Sequence, residues 1–271
     1  MTTFPFLSIP VLASNVIVKN LRLEDLIFLS TCSKRAYNSV KMANITLNRI
    51  QLKFDAELSM LIECPQQQIT GLFNVNKLNV CLRPGIVKDF FLWKTTKSIN
   101  NLEIAPLRSL ELYPSEAEIK FAVEELNARV LKIIPRTNYY YRYGLKQEEV
   151  HIEWASWLHK NALLNSESSR IWLSFPNRIN ASSLNDILKN WQARIGLHNL
   201  KHLIIHELHS FETGFQETVL KGIETVEWDP KNRPEDFENN KLGAGRDFRR
   251  ADGTWATVLV DEENFIFHVW K

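Results

Sequence analysis

Leu197-His-Asn-Leu200-Lys-His-Leu203-Ile-Ile205 sets apolar residues three, three and two positions apart. The same spacing returns as Leu72-x-x-Val75-x-x-Leu78-x-Val80, as Ile104-x-x-Leu107-x-x-Leu110-x-Leu112, and as Leu220-x-x-Ile223-x-x-Val226-x-Trp228. The closing step of two is the side-chain period of a strand, so each copy reads as a strand centre. Weaker centres fall at Ile50/Leu52, Leu131/Ile133 and Ile171/Leu173. Successive centres lie about 20 to 40 residues apart, room for a strand, a helix and two loops.

The stretches between them read as helices. Ser115-Glu116 leads Ala117 to Val130, Glu148-Glu149 leads Val150 to Leu164, and Ser182-Ser183 leads Leu184 to Ile195 with Gly196 as the stop. In the last, Leu184, Ile187, Leu188 and Trp191 share one face. Strands alternating with helices imply an α/β chain with a mainly parallel sheet, and the spacing suggests an irregular leucine-rich-repeat-like arc. The alternative is an ordinary α/β sandwich.

From Asp229 to Gly245 prolines, acidic residues and glycines break the pattern, as a surface loop does. Phe248-Arg249-Arg250, an Asp252-Gly253 turn, Trp255 to Val260, an acidic turn at Asp261 to Asn264, and Phe265 to Trp270 then read as a three-stranded meander. Its expected role is a cap on the last repeat. Residues 44–245 are thus expected to be strand and helix repeats and residues 246–271 a β-meander cap.

Residues 1–43 differ in kind. Pro10 suits a first helical turn, and Leu12, Val16, Ile17 and Leu21 follow at steps of three and four. Leu23, Leu26 and Ile27 give a second short helix, and Ser33 is placed to cap a third through Tyr37 to Val40. Three helices in about forty residues bury too little to stand alone, so this module needs a partner surface.

Composition narrows the function classes. The 271 residues are 45% hydrophobic and 24% charged with a net charge of +2, a globular balance without a bulk pull toward nucleic acid or anionic membranes. Three scattered cysteines, Cys32, Cys64 and Cys81, fit a reducing compartment, cytoplasmic or nuclear. Met1 to Val18 lacks charge, but it has no basic lead and prolines interrupt it, so a signal peptide is not expected. No stretch approaches the ~20 apolar residues of a membrane span.

Both ends carry a resemblance. Phe4-Pro5-Phe6, Ile9-Pro10 and Cys32-Ser33-Lys34-Arg35 resemble the opening, helix start and close of the F-box in the large nematode F-box family. Phe248-Arg249-Arg250, Asp252-Gly253, Ala256-Thr257 and Phe265-Ile266-Phe267-His268-Val269-Trp270 resemble the end of that family's F-box-associated (type 2) domain. Ala13-Ser14-Asn15 and Asn20-Leu21-Arg22 depart from the family, which often has Glu in the first of these places and Asn-Pro in the second. The resemblance implies a small three-helix F-box at 1–43 and an associated domain at 44–271. It also implies a substrate receptor that docks on a Skp-type adaptor, and through it a cullin of a ubiquitin ligase, while holding an unknown target protein. The expected adaptor surface is Ile9, Pro10, Leu12, Val16, Ile17, Leu21 and Leu26. The expected target surface, between inward strand positions, is Asn79, Glu111, Lys132, Trp172, Ile204 and Glu227. The rival is a stand-alone scaffold whose N-terminal helices only cap the larger domain.

Catalytic chemistry is not expected. His202-x-x-x-His206-x-x-His209 lies in a strand pattern, with no Glu after His202 as a zinc-protease helix requires, and reads as exposed strand histidines. Gly243-Ala-Gly245 lacks a third glycine and a following helix, and reads as loop flexibility. Glu148-Glu149 and Glu262-Glu263 fall at a helix start and a turn. Tyr139-Tyr140-Tyr141-Arg142-Tyr143 reads as tyrosines partly buried against the sheet, and Trp154, Trp157 and Trp191 as core. No metal, cofactor, nucleic acid or membrane is implied.

Overall fold

The structure is a computed structural model. It describes residues 11–21, 25–26, 29, 34–42, 45–53, 59–64, 67–74, 96–105, 116–125, 128–134, 139–208, 214–231, 233–238, 240–261 and 263–270. The chain is α/β, built on a large mixed sheet. In chain order its strands are β1 (Ile45–Lys53), β2 (Ser59–Cys64), β3 (Gln67–Asn74), β4 (Thr96–Ala105), β5 (Ala128–Ile133), β6 (Glu149–Ile152), β7 (Arg170–Ser174) and β8 (His202–His206). Then come β9 (Val226–Glu227), β10 (Asp236–Phe237), β11 (Asn240–Lys241), β12 (Arg246–Arg249), β13 (Trp255–Val260) and β14 (Phe265–Val269). Among the described residues twelve strands form one sheet in the order β3-β2-β1-β4-β5-β6-β7-β8-β14-β13-β12-β9, and β10 pairs with β11 apart from it.

From β1 through β4, β5, β6 and β7 to β8, each strand is parallel to the next in the chain-order series. The β2-β3 hairpin adds an antiparallel edge to β1. At the other end the C-terminal meander does not sit over the last repeat. It extends the sheet edgewise, with β14 antiparallel to β8 and then β13 and β12.

The helices with described bounds are α1 (Val11–Asn20), α2 (Lys34–Met42), α3 (Glu116–Lys120, continuing as a π turn over Phe121–Glu125), α4 (Lys160–Leu164), α5 (Ala181–Ala193) and α6 (Phe215–Val219). α5 is the element the sequence specifies best. Leu184, Ile187, Leu188 and Trp191 are all buried, and Trp191 meets Phe248 and Phe267 edge-on at 5.4 and 5.2 Å. Its caps differ from the expected ones. Asn180 Oδ1 accepts from the Ser183 N–H at 2.9 Å, and Arg194, at φ 58°, ends the helix in the left-handed region two residues before Gly196.

Other expectations change. The helix expected over Val150 to Leu164 is β6, a 3-10 turn (Ala155–Trp157) and α4. Val150 and Ile152 sink inward while Glu149 and His151 do not, so period two wins over the helical reading. The helix expected through Val130 stops by Glu125, because Ala128 to Ile133 pair with β4 and β6. The fourth spacing copy does not become a parallel strand: Val226-Glu227 is a two-residue edge paired to β12, with Val226 50% exposed. Leu72 lies in the antiparallel β3 and Ile104 in β4, whereas the centres expected at Leu78/Val80 and Leu110/Leu112 lie outside the described residues.

The main core lies on the helix side, where Leu131, Ile171, Leu203, Phe265 and Phe267 share one apolar cluster with Leu184, Ile187, Leu188 and Trp191 of α5. Val18 of α1, Leu26 and Val40 of α2 belong to the same apolar cluster. On the opposite face a smaller cluster of Ile204, Leu242 and Ile266 packs with Trp172, Phe237, Leu259 and Trp270.

Candidate ligand-binding site

Strand alternation builds the site. Leu203 and Ile205 point to the helices, so His202 and Ile204 point away; Phe265 and Phe267 do the same for Ile266 and His268. Register then aligns Arg170 of β7, His202 of β8, His268 of β14, Thr257 of β13 and Asp247 of β12 in one row across the sheet. These residues come from distant parts of the chain and meet only through pairing.

Toward one end the row meets a run of rings, at His202 and His268. His151 stacks on Trp172 at 4.3 Å, and Glu149 holds the His151 ring at 2.8 Å. Trp172 lies 5.6 Å from His202, and His202 5.3 Å from His268. Phe237, from the β10-β11 hairpin, stacks on His268 at 3.6 Å, and Trp270 meets the same imidazole edge-on at 4.4 Å.

The other end is an ion-pair lock. Arg233 Nε donates to both oxygens of Asp247 at 2.9 and 3.1 Å, with both side chains buried, and Arg233 Nη2 donates to the Leu242 carbonyl at 2.9 Å. Thr257 Oγ1 donates to Asp247 and accepts from Trp270 Nε1 at 2.7 Å. This network ties the segment between β9 and β12 to the sheet. Gly245 belongs to the same contact, since a Cβ there would sit 2.6 Å from Thr257 Cγ2. Close approach to the sheet, rather than loop flexibility, accounts for this glycine.

His202 is 1% exposed, and among the described residues neither of its ring nitrogens has a hydrogen-bond partner, nor does Nδ1 of His268. Burial lowers the His202 pKa to about 4, with Arg170 adding to it. Burial lowers that of His268 to about 3, helped by His202, Arg170 and Arg233. Both rings are therefore neutral at pH 7, and the expectation of exposed strand histidines fails for His202. It holds for His206, which is exposed and bonded to Asn264 Oδ1 at 2.7 Å.

Beside the two histidines opens a cavity of about 900 Å³, at the ends of β7, β8 and β14 where Arg170, Lys201 and Trp270 sit. Phe237, Trp255 and Trp270 line it with half-buried rings, and Arg170, Lys201 and Arg250 bring positive charge. Arg170 is paired with Glu238 at 3.4 Å and Arg250 with Asp252 at 2.9 Å. Lys201 has no carboxylate within ion-pair distance among the described residues. Among those residues no group of three or more His, Cys, Asp or Glu side chains is placed to hold a metal, and no helix is long and apolar enough to cross a membrane.

The expected target surface is brought together only in part. Trp172 and Ile204 adjoin, but Ile204 is buried under the β10-β11 hairpin and Trp172 is sandwiched between His151 and His202, so neither stands on an open face. Lys132 pairs with Glu153 at 3.3 Å on β5, and Glu227 sits on the far edge paired with Arg246 at 3.0 Å. Asn79 and Glu111 lie outside the described residues, as do Ile9 and Pro10 of the expected adaptor surface. Leu12 lies in α1; Val16 and Ile17 are 62% and 36% exposed, whereas Leu21 is half-buried and Leu26 buried against the core. Of the tyrosines, Tyr141 is buried and donates to the Gly144 carbonyl at 3.2 Å; Tyr140 and Tyr143 are exposed.

Sequence reasoning missed Arg170, Phe237, His268 and Trp270. The available signal was a polar residue next to inward apolar ones, His202 before Leu203 in β8 and His268 between Phe267 and Val269 in β14. No protein-family model, no curated protein and no solved structure matches the chain significantly.

Proposed function

We propose that the chain is a non-catalytic substrate receptor, docking on a Skp-type adaptor of a cullin-based ubiquitin ligase through residues 1–43 and holding a target protein with residues 44–271. The observation that carries the docking half is the split character of α1. Val18 sinks into the core while its neighbours Val16 and Ile17 present apolar side chains to solvent. An amphipathic helix already anchored on one side has no internal reason to keep two branched aliphatic residues outside, whereas a partner groove gives one. Parallel strands in chain order support reading the larger unit as an irregular leucine-rich-repeat-like arc. A reducing compartment, cytoplasm or nucleus, goes with this reading.

The test is co-purification of the full chain with a Skp-type adaptor, beside the double variant Val16→Asp and Ile17→Asp. Capture by the wild type and its loss in a folded variant supports docking.

One observation favours the second reading, a scaffold whose N-terminal helices are a cap. Val18, Leu26 and Val40 share the apolar cluster of the larger domain. Deleting residues 1–43 separates the two: a cap deletion exposes core and aggregates, while a receptor keeps a folded remainder that no longer captures the adaptor.

A further inference from the structure

We infer that the cavity beside His202 and His268 binds a planar ring carrying an anionic group, a phosphate or carboxylate. The inference rests on the reading that residues 44–271 hold a partner, and it names the chemical group the partner presents.

Four observations converge. The cavity, about 900 Å³, is within the size range of small-ligand pockets. Its walls are rings: Phe237, Trp255 and Trp270 are half-buried, so each keeps part of its surface open to a flat guest. Its charge is positive, because Arg170, Lys201 and Arg250 face Glu238 and the two imidazoles are neutral at pH 7. Arg170 and Arg250 already have carboxylate partners, which leaves Lys201 as the cation for an incoming anion.

The fourth observation is the unmet polarity beneath. A buried polar group without a partner costs roughly 1–3 kcal/mol, and here three imidazole nitrogens on two adjacent residues are in that state. A guest that slips past Phe237 meets neutral imidazoles able to donate from one nitrogen and accept at the other. Phe237 lies on the short β10-β11 hairpin, which among the described strands forms a two-stranded sheet of its own, so the ring that covers His268 is not part of the main sheet.

The experiment titrates the full chain with phenyl phosphate, inorganic phosphate and phenol, reading heat of binding and the imidazole NMR signals of His202 and His268. The expected result is phenyl phosphate binding at least tenfold tighter than either half alone, with shifts at both histidines. Lys201→Glu, an exposed position, should weaken it at least tenfold with circular dichroism unchanged. A fourth probe, N-acetyl-O-phosphotyrosine amide, separates two sources of the group: tighter binding than phenyl phosphate assigns a protein side chain, equal or weaker binding a free aromatic anion. Phenyl phosphate binding no tighter than phosphate, histidine signals that stay fixed, or a Lys201→Glu variant that binds as wild type would each overturn the inference. Adaptor capture without phenyl phosphate binding sinks the cavity alone; binding without adaptor capture sinks the receptor reading alone.

Discussion

The two faces of the sheet at β7, β8, β14 and β13 use the same strands for opposite chemistry. On the helix side Ile171, Leu203, Phe267 and Val258 are buried in one apolar cluster with the α5 residues Leu184, Ile187, Leu188 and Trp191. On the other side the row runs through Arg170, His202, His268 and Thr257, and it ends in the buried Arg233–Asp247 pair. The first face needs only volume and the right period; the second needs partners for each polar atom, and at the histidines it lacks them. The first face is held by burial, the second by polar pairing that is complete at Asp247 and incomplete at His202.

That contrast breaks most visibly where each face has its anchor. Trp191→Ala should cost about 3–5 kcal/mol in urea unfolding, the usual penalty for emptying a large aromatic core site. Asp247→Ala should cost a similar amount, about 3–5 kcal/mol, because it leaves Arg233 charged and buried. The joint replacement Arg233→Met with Asp247→Leu should recover much of that loss, which Trp191 variants cannot imitate.

A pH series sharpens the comparison next. The unfolded chain protonates His202 and His268 below about pH 6.5, while the folded chain does so only near about 4 and about 3. Their contribution is fully present above pH 6.5 and is lost as pH falls toward those folded values. Between pH 7 and pH 5 the two together should remove on the order of 3 kcal/mol of unfolding free energy, at up to ~1.4 kcal/mol per residue per pH unit. His202→Phe should reduce this slope by about half and change stability at pH 7 by less than ~1 kcal/mol, since it removes unpartnered polar atoms while keeping a ring. An unchanged slope in that variant would mean that the histidines are not the groups titrating.

The smallest expected effect lies outside both faces. Val16→Asp with Ile17→Asp should shift unfolding by no more than ~0.5 kcal/mol, as substitutions at exposed positions do.

The difference between the faces also explains what could be read in advance. α5 was legible because Leu184, Ile187, Leu188 and Trp191 repeat within one local segment. Parallel strands at β5, β7 and β8 followed from pairs of apolar residues two apart. β6 was misread because a four-residue strand leaves too few positions to separate period two from period 3.6, and Val150 and Ile152 fit both. The fourth spacing copy misled because tertiary pairing with β12 overrode a local pattern. The polar row was not legible: Arg170, His202, His268, Thr257 and Asp247 are set side by side only by register between strands far apart in the chain.

The most direct test of the receptor account is hydrogen exchange on the full chain with and without a Skp-type adaptor. The account expects protection concentrated on residues 11–21, with β5 to β8 exchanging as in the free chain. No change over α1 in the presence of excess adaptor, or protection only across the sheet, would contradict it and leave α1 as part of a cap.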